Sequence, residues 1–251
     1  MILTSWSGGK DSTASLLLEH KLGLEPSDVI FSEVMFDIKN NISGENPEHI
    51  EWLYTKAVPR LESMGHKVYI VRANTDYLHL FFAVIKKSKI AERNGKFRGF
   101  PLSGLCILND RCKVKPIKDF LKVNKPKENR IGIAFDEPKR AERRTERLLL
   151  VENHVTEKEA FEMCKKEDFL SPIYAHSYRG GCWFCPNCRP KEFAGFKKRH
   201  FGLYKKLLEL DDVKNRVSNS FSYGRSFKEI DKQVQEIIDL ENFYNAQLSI
   251  I

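Results

Sequence analysis

The chain has 251 residues and a formal net charge of +8, which is enough length for one large domain or for one domain with a small appendage. No stretch approaches the roughly 20 apolar residues of a membrane span, and the amino terminus lacks the basic-then-apolar pattern of a signal peptide. We therefore expect a cytoplasmic protein with no membrane partner. The six cysteines are unevenly spaced, which disfavours a secreted disulfide framework and favours thiolates that bind metal or do chemistry.

The positive charge is concentrated in the second part of the chain. Residues 1–110 carry 13 Lys/Arg and 13 Asp/Glu, whereas residues 111–251 carry 29 and 21. Such a field attracts polyanions, so it is consistent with a tRNA or DNA substrate, and solvated helix faces are the alternative explanation. The basic residues form two groups: Lys139, Arg140, Arg143, Arg144, Arg147, and then Arg189, Lys191, Lys197, Lys198, Arg199, Lys205, Lys206.

The most informative segment lies between a predicted strand at residues 2–6 and a predicted helix at residues 13–20. It reads Ser7-Gly8-Gly9-Lys10-Asp11-Ser12. Paired glycines let consecutive amide N–H groups face one anion at a helix amino terminus. Lys10 adds a mobile positive charge, Ser7 and Ser12 add hydroxyl donors, and Asp11 can cap the helix or approach a phosphate-bound magnesium ion. A solvated turn before a capped helix is the alternative, but six specified residues in this context favour a phosphate site.

Strands and helices alternate along the next hundred residues. Strands are predicted at residues 29–36, 67–71, 130–134 and 148–151, and helices at residues 47–64, 75–93, 113–123 and 156–167, with Thr156 as a cap and Cys164 as a core thiol. Residues 94–109 read as a loop over the active face, and the chain beyond residue 189 reads as helical with breaks near Asp211 and at residues 222–226. This alternation indicates an α/β domain with a Rossmann-like parallel sheet at residues 1–155, followed by a helical, cysteine-bearing region at residues 156–251.

Three cysteines repeat at a fixed spacing near the end of the predicted α/β part. Cys182, Cys185 and Cys188 are separated by two residues each, in a turn controlled by Gly and Pro, so their thiolates can converge on one ion or cluster. A fourth ligand is needed, for which Cys106 and Cys112 are the candidates and His176 a weaker one. Zinc and a [4Fe–4S] cluster accept the same thiolates. A redox-active dithiol or a structural turn are alternatives, but a third cysteine at the same spacing favours a metal.

The loop at residues 7–12 resembles the PP-loop of the ATP pyrophosphatase superfamily, and the Walker A spacing GxxxxGK[ST] does not occur in this chain. The resemblance implies binding of ATP or a related adenine nucleotide, attack on the α-phosphate and release of pyrophosphate. In that chemistry the loop holds the pyrophosphate that becomes the leaving group.

Further stretches resemble one branch of that superfamily, the phosphoadenosine-phosphosulfate reductase-like proteins. They are the loop Cys106–Ile117, which ends Arg111-Cys112-Lys113-Val114-Lys115-Pro116-Ile117, and the stretches Gly132-Ile133-Ala134-Phe135-Asp136-Glu137-Pro138-Lys139-Arg140, Pro172-Ile173-Tyr174 and Arg179-Gly180-Gly181-Cys182. The resemblance implies a fold of the adenine nucleotide alpha hydrolase type, with residues 7–12 on the phosphates and Asp37, Lys113 and Arg140 near the nucleotide. It also implies that Cys106 or Cys112 completes a [4Fe–4S] cluster, as in the assimilatory reductases and the related DNA phosphorothioation protein.

The chain departs from this branch at three points. The reductases use a cysteine in a carboxyl-terminal tail, but no cysteine follows Cys188 here. The signature before Arg140 is one residue shorter, and Pro138 stands where the branch has Ser, which removes a hydroxyl and an N–H donor.

The expected function is that of an enzyme that binds ATP, or a sulfonucleotide, with Mg²⁺ and adenylates an acceptor for sulfur transfer to a nucleic acid. Lys10 and Asp11 are its candidate catalytic residues, and a sulfur donor or thiol reductant protein is the expected partner. One alternative is a sulfonucleotide reductase that uses an external thiol. The other is a non-catalytic module that binds nucleotide or nucleic acid.

Overall fold

A computed structural model describes residues 1–103, 105–178 and 180–248, so Arg179 of the Arg-Gly-Gly-Cys match lies outside the described residues. The strands are β1 (Ile2–Ser5), β2 (Asp28–Glu33), β3 (Met35–Asp37), β4 (Ile42–Ser43), β5 (Val68–Arg72), β6 (Phe97–Gly99), β7 (Leu102–Ser103), β8 (Leu105–Cys106), β9 (Glu128–Ile131) and β10 (Arg216–Ser218). The helices are α1 (Lys10–Lys21), α2 (Pro47–Trp52), α3 (Val58–Ser63), α4 (Tyr77–Phe81), α5 (Lys115–Asn124), α6 (Pro138–Ala141), α7 (Leu149–Glu152), α8 (Glu157–Lys166), α9 (Pro190–Arg199), α10 (Phe201–Asp212) and α11 (Phe227–Leu248).

The central sheet has four parallel strands in the order β5-β2-β1-β9, which confirms the predicted α/β fold. Leu3 of β1 pairs with Asp28 of β2 on one side and with Asn129 of β9 on the other. The chain therefore leaves β1 towards one edge of the sheet and later returns to its other side. Ligands of open α/β sheets bind beyond the carboxyl ends of the strands at such a reversal point, which here is the end of β1.

The first hydrophobic core lies between the sheet and the helices that cover it. α1 contributes the buried side chains of Ala14, Leu16 and Leu17 to this core and contacts α7 and α8. α8 packs on α1 and adds Ala160 and Cys164 to this core, so Cys164 is the predicted core thiol. The predicted domain boundary after residue 155 remains a prediction, with α8 packed on the helix that follows β1.

The second core is aromatic and holds the carboxyl-terminal helices against β3 and α4. Its largest fully buried side chains are Tyr77, Tyr204, Phe36, Phe81, Phe100, Phe184, Phe193, Phe221 and Phe227. Phe and Tyr each bury a large area, and edge-to-face pairs such as Phe100 with Phe221 add to that stabilisation. Two of the three closely spaced cysteines, Cys182 and Cys188, pack against this core.

The prediction of a helix at residues 75–93 is wrong beyond Phe81. Asp76 caps α4 by accepting the backbone N–H of His79 at 2.6 Å, but this helix ends after five residues. The following segment pairs with residues 95–98 instead, since Ile85 N–H donates to Lys96 O at 2.9 Å and Gly95 N–H to Ile85 O at 2.9 Å. Those backbone partners replace helical hydrogen bonds.

The strand predicted at residues 148–151 is also wrong, because Leu149–Glu152 forms α7, with Leu149 and Leu150 buried against α1. Residues 94–109, predicted as a loop, contain the short strands β6, β7 and β8. The helix predicted to begin at residue 113 starts earlier, as a π-helical turn at Asn109–Val114. Among the described residues, no helix combines the length and the apolar character that crossing a membrane requires.

Candidate functional site

The loop at residues 7–12 lies where β1 ends and α1 begins. Gly8 has φ +69, and a Cβ built on it would lie 2.5 Å from Cε1 of His49, so a side chain at this position would be both strained and in collision. Gly9 is the N-cap of α1 and supplies no side-chain cap, so Asp11 lies in the first turn and does not cap the helix. The first-turn amides of a helix have no intrahelical partner and carry positive partial charge, which suits an anion.

A buried histidine, His49, contacts the backbone of this loop. Nε2 of His49 lies 3.1 Å from the carbonyl oxygen of Ser7, and Nδ1 lies 2.7 Å from Oγ of Ser171. A carbonyl only accepts, so Nε2 carries the proton and Nδ1 accepts from the Ser171 hydroxyl. Burial lowers the pKa of His49, which keeps the ring neutral. Sequence patterns gave no signal for His49.

Gly132, in the segment after β9, packs against the backbone of Asp11 and Ser12. A Cβ built on Gly132 would lie 2.5 Å from the backbone nitrogen and Cα of Ser12 and from the carbonyl oxygen of Asp11. Only a residue without a side chain allows the two backbones to approach this closely.

Lys10 is fixed at both its backbone and its side chain. Its N–H donates to the phenol oxygen of Tyr174 at 2.8 Å, and its ammonium lies 2.8 Å from Asp11 Oδ1 and 3.5 Å from Glu157 Oε2. Burial lowers the pKa of the Lys10 ammonium, but Asp11 and Glu157 outweigh it and the pKa is raised. The side chain is therefore a permanent cation. Glu157 was not among the predicted site residues.

Three carboxylates gather beside this lysine. Asp11, Glu137 and Glu157 each place an oxygen within 4.8 Å of the others, and all three are half-buried. Burial raises the pKa of Asp11, although Lys10 opposes that effect. Carboxylate oxygens are the ligands that Mg²⁺ prefers, so this group could hold a divalent cation. Asp11 was a predicted residue, and Glu137 belongs to the quoted Asp-Glu-Pro signature.

A cavity of about 390 Å³ opens next to the loop, and we call it the phosphate cavity. Its wall includes Lys10, Asp136, Glu157, Lys158 and Tyr174. The cavity thus carries two cationic side chains beside the amino terminus of α1. That combination suits a polyphosphate with a bound cation.

The three closely spaced cysteines lie in two successive turns, as Cys185 N–H donates to Cys182 O and Cys188 N–H to Cys185 O, both at 3.0 Å. The indole N–H of Trp183 donates to the carbonyl oxygen of Ser43 at 2.9 Å and fixes this segment to β4. Burial raises the pKa of the Cys182 thiol, and nearby Glu45 adds to the effect.

A second cavity, of about 250 Å³, lies over these turns, and we call it the thiol cavity. Four cysteines lie in its wall: Cys106, Cys182, Cys185 and Cys188. Lys113, His176 and Arg199 also line it. Ser177 belongs to the walls of both the thiol cavity and the phosphate cavity, so the two are neighbours.

Cys112 is not part of that wall. It is fully buried, its Sγ lies 3.5 Å from the carbonyl oxygen of Thr75, and burial raises its pKa to about 12. Of the two candidates for a fourth ligand, the structure therefore brings Cys106 to the other three cysteines and leaves Cys112 in the hydrophobic core.

Two residues in the wall of the thiol cavity each have a buried polar atom without a hydrogen-bond partner among the described residues. The atoms are the hydroxyl of Tyr77 and Oδ1 of Asn46, whose residues are 2 % and 8 % exposed. Buried polar atoms are nearly always paired, so a polar occupant of the cavity would be a suitable partner for them.

Two predicted nucleotide contacts, Asp37 and Arg140, are not among the residues that line either cavity. The carboxylate of Asp37 accepts the backbone N–H of Asn40 at 3.2 Å and its side-chain amide at 2.7 Å. Arg140 is exposed and lies 2.6 Å from Glu137, one of the gathered carboxylates. Asp37 is thus engaged in a turn, whereas Arg140 lies next to the phosphate cavity through its partner. Their roles toward a nucleotide remain predictions.

No family model matches the sequence, and no curated protein matches it. Among solved structures, the chain is similar to the U34-tRNA thiolase NcsA from Methanococcus maripaludis with its [4Fe–4S] cluster, with 16% identity and a TM-score of 0.39. The match covers 85% of this chain and 72% of the thiolase chain. The resemblance to the reductase-like branch stays a prediction.

Proposed function

We propose that this protein is a PP-loop-type enzyme that binds ATP at residues 7–12, adenylates an acceptor and then transfers sulfur to it. The observation that carries the proposal is the placement of two cavities side by side. The phosphate cavity holds Lys10 and the amino terminus of α1, the thiol cavity holds four cysteines, and Ser177 lines both. Nucleotide activation and sulfur chemistry would thus take place next to each other.

The loop contributes position and charge to the first step. An acceptor oxygen attacks the α-phosphorus while the bond from that phosphorus to pyrophosphate breaks. Negative charge grows on the departing pyrophosphate, where the Lys10 ammonium and the first-turn amides of α1 stabilise it. A sulfur nucleophile then attacks the acceptor carbon, and AMP leaves with the electrons of the carbon–oxygen bond.

The three carboxylates fit the magnesium ion that such a reaction needs. Asp11, Glu137 and Glu157 offer hard oxygen ligands within 4.8 Å of one another, beside the lysine expected to face the phosphates. Bound there, Mg²⁺ would supply Lewis-acid neutralisation of the pyrophosphate oxygens.

The four thiols in the wall of the thiol cavity fit a thiolate-bound metal centre. A zinc ion and a [4Fe–4S] cluster both accept four cysteines, and the cluster is the centre included in this proposal because its iron can take part in sulfur chemistry. Cys106, Cys182, Cys185 and Cys188 would hold the cluster, which when bound would supply iron that can carry a sulfur ligand.

The proposal is tested by pyrophosphate release from ATP, measured with and without added RNA or DNA. We expect release that increases with nucleic acid in the wild-type protein and falls at least a hundredfold in Lys10→Ala. Lys165→Ala, at the opposite end of α8, is the matched control and should keep wild-type release. Isothermal calorimetry with ATP and magnesium measures binding separately from turnover.

Two other results would replace the proposal. Release of sulfite from phosphoadenosine phosphosulfate with thioredoxin would make the protein a sulfonucleotide reductase that borrows its thiol. Nucleotide binding with no product of either kind would make it a non-catalytic module. The absence of calorimetric heat that depends on Lys10, both with ATP and magnesium and with the sulfonucleotide, would remove both enzymatic functions.

A further inference from the structure

The segment between α4 and β6 is a basic loop, which we define as residues 82–98. The first and last residues of this loop are paired through their backbones. Arg98 N–H donates to Ala83 O at 2.9 Å, and Val84 forms a β-bridge with Phe97. The loop carries six of the thirteen cations of residues 1–110 and one acidic residue, Glu92. Its cations are Lys86, Lys87, Lys89, Arg93, Lys96 and Arg98.

These cations lack carboxylate partners, in contrast to three cations of α9. Among the described residues, none of the six basic-loop cations lies within 4.0 Å of a carboxylate, and Glu92 is the loop's sole acid. On α9, by comparison, Lys197 lies 2.7 Å from Asp231, Lys198 lies 2.8 Å from Glu241, and Arg199 lies 2.8 Å from Glu48. The charges of these three α9 residues are therefore neutralised locally, whereas those of the basic loop are available to an external polyanion.

The basic loop leads directly to the thiol cavity. Its second arm continues as β6, which pairs in parallel with β10, and Phe97 lies opposite Arg216. Just beyond these strands, Phe100 and Phe221 both line the thiol cavity. At about 3.3 Å per residue, Lys96 lies on the order of 13 Å along the strand from Phe100, a distance that two or three nucleotides span.

The basic loop also exposes apolar side chains. Phe82 is 40% exposed and packs edge-to-face on Phe97, while Val84 and Ile90 are each 48% exposed. Aromatic rings beside a basic track are the usual platform for unpaired bases, since every base presents a stacking face.

From these observations we infer that the basic loop binds an unpaired RNA strand and guides it to the thiol cavity. An enclosed cavity admits a nucleotide only when it is out of a duplex, and RNA loops are the common source of unpaired bases. The inference rests on the proposed function for its nucleic-acid acceptor, but binding is measured without ATP, so the two can fail separately.

The test measures binding of a short single-stranded RNA to the full chain by fluorescence anisotropy over a range of salt concentrations. Lys86→Glu/Lys87→Glu changes the charge of the basic loop. Lys165→Glu/Lys166→Glu changes the net charge equally at the exposed end of α8, so it controls for the overall field. Duplex DNA and single-stranded DNA of matching sequence are the competing probes.

We expect the loop variant to bind the RNA at least tenfold more weakly. Its slope of log affinity against log salt should fall by about 1.4, which is two lost phosphate contacts on a single strand. The control should keep the wild-type affinity within about threefold. Equal loss in both double variants, no loss in the loop variant, or binding of either DNA probe as tight as that of RNA would each overturn the inference. Loss of ATP-dependent pyrophosphate release with RNA binding intact would instead count against the proposed function alone.

Discussion

The phenol oxygen of Tyr174 accepts the backbone N–H of Lys10 at 2.8 Å, across 164 positions of sequence. Burial raises the pKa of Tyr174, so the hydroxyl keeps its proton and can donate it to an anion in the phosphate cavity while its oxygen accepts from Lys10. The Tyr174 hydroxyl therefore lies between the Lys10 amide of α1 and the phosphate cavity, and it would take the place of that amide as the hydrogen-bond donor to the anion.

Replacing this phenol should weaken nucleotide binding without unfolding the protein. Tyr174→Phe removes one hydrogen bond of about 0.5–1.5 kcal/mol, so we expect the dissociation constant for ATP to rise about threefold to tenfold. Tyr178→Phe is the matched control, because Tyr178 lines the same cavity and is 74% exposed. Calorimetry with ATP and magnesium decides. An unchanged constant in Tyr174→Phe would mean that the phenol does not face the phosphates.

Gly8 allows a comparison between two positive-φ glycines. Gly8→Ala introduces both backbone strain and a Cβ 2.5 Å from His49, whereas Gly23→Ala introduces the strain alone, since nothing lies within 4 Å of its added Cβ. We expect Gly23→Ala to lower the free energy of unfolding by about 1 kcal/mol and Gly8→Ala by about 2–4 kcal/mol. Urea unfolding measures both. Equal losses would show that His49 moves aside at little cost.

The sequence predicted the parts of the site that are continuous along the chain. Residues 7–12 lie at the expected strand-to-helix junction, although α1 begins three residues earlier than predicted, and the spacing of Cys182, Cys185 and Cys188 puts them in one pair of turns. Pairings such as His49 with Ser7 or Glu157 with Lys10 arise only from tertiary packing, because no local pattern marks a side chain whose partner is distant in sequence.

The error at residues 75–93 has a different physical origin. Helical periodicity in Leu78, Phe81, Phe82 and Ile85 describes which side chains are apolar, but not which backbone groups will pair. Here the antiparallel contact of Ile85 with Lys96 supplies the hydrogen bonds, so the helix ends after Phe81. The basic loop that results could not be recognised from charge counts over the first 110 residues, which balance.

A buried ion pair joins α1 to β9. Arg130 Nη1 lies 2.5 Å from Glu19 Oε2, and both side chains are at most 2% exposed. Arg130→Met leaves an uncompensated buried carboxylate, so we expect the free energy of unfolding to fall by about 3–5 kcal/mol. Lys115→Met, which breaks the exposed pair with Asp119, should change it by less than about 0.5 kcal/mol.

The two substitutions at the buried pair should also be coupled. Glu19→Gln combined with Arg130→Met removes both charges, so the double variant should lose less stability than the sum of the single losses. Additive losses in urea unfolding would indicate that the two side chains do not depend on each other.

His49 should make the stability of the fold depend on pH. Its pKa is lowered by burial, with Glu45 opposing that shift and Lys113 adding to it. Above about pH 6.5 the ring is neutral in both the folded and the unfolded states. As the pH falls below that value, the unfolded chain binds a proton that the folded ring does not, so stability declines until the lowered pKa is reached.

The measurement is the urea midpoint between about pH 7.5 and about pH 5. Wild-type protein should lose up to about 1.4 kcal/mol per pH unit more than His49→Gln over the acidic part of that range. His20→Gln, at an exposed position, should follow the wild-type curve. Parallel curves for the wild type and His49→Gln would contradict the assigned environment of the ring.

The fourth cysteine ligand of the proposed cluster can be identified by replacing Cys106 and Cys112, one at a time, with serine. Cys106 lines the thiol cavity with Cys182, Cys185 and Cys188, whereas Cys112 donates to the carbonyl of Thr75 inside the core. We expect anaerobically purified Cys106→Ser to lose most of its iron, since a hydroxyl is a poorer ligand for cluster iron than a thiolate, and to lose the acid-labile sulfide with it. Cys112→Ser should keep both, with at most a loss of stability. Retained iron in Cys106→Ser with loss in Cys112→Ser would assign the ligand to the buried residue, and stoichiometric zinc in the wild type would make the four thiols a structural site.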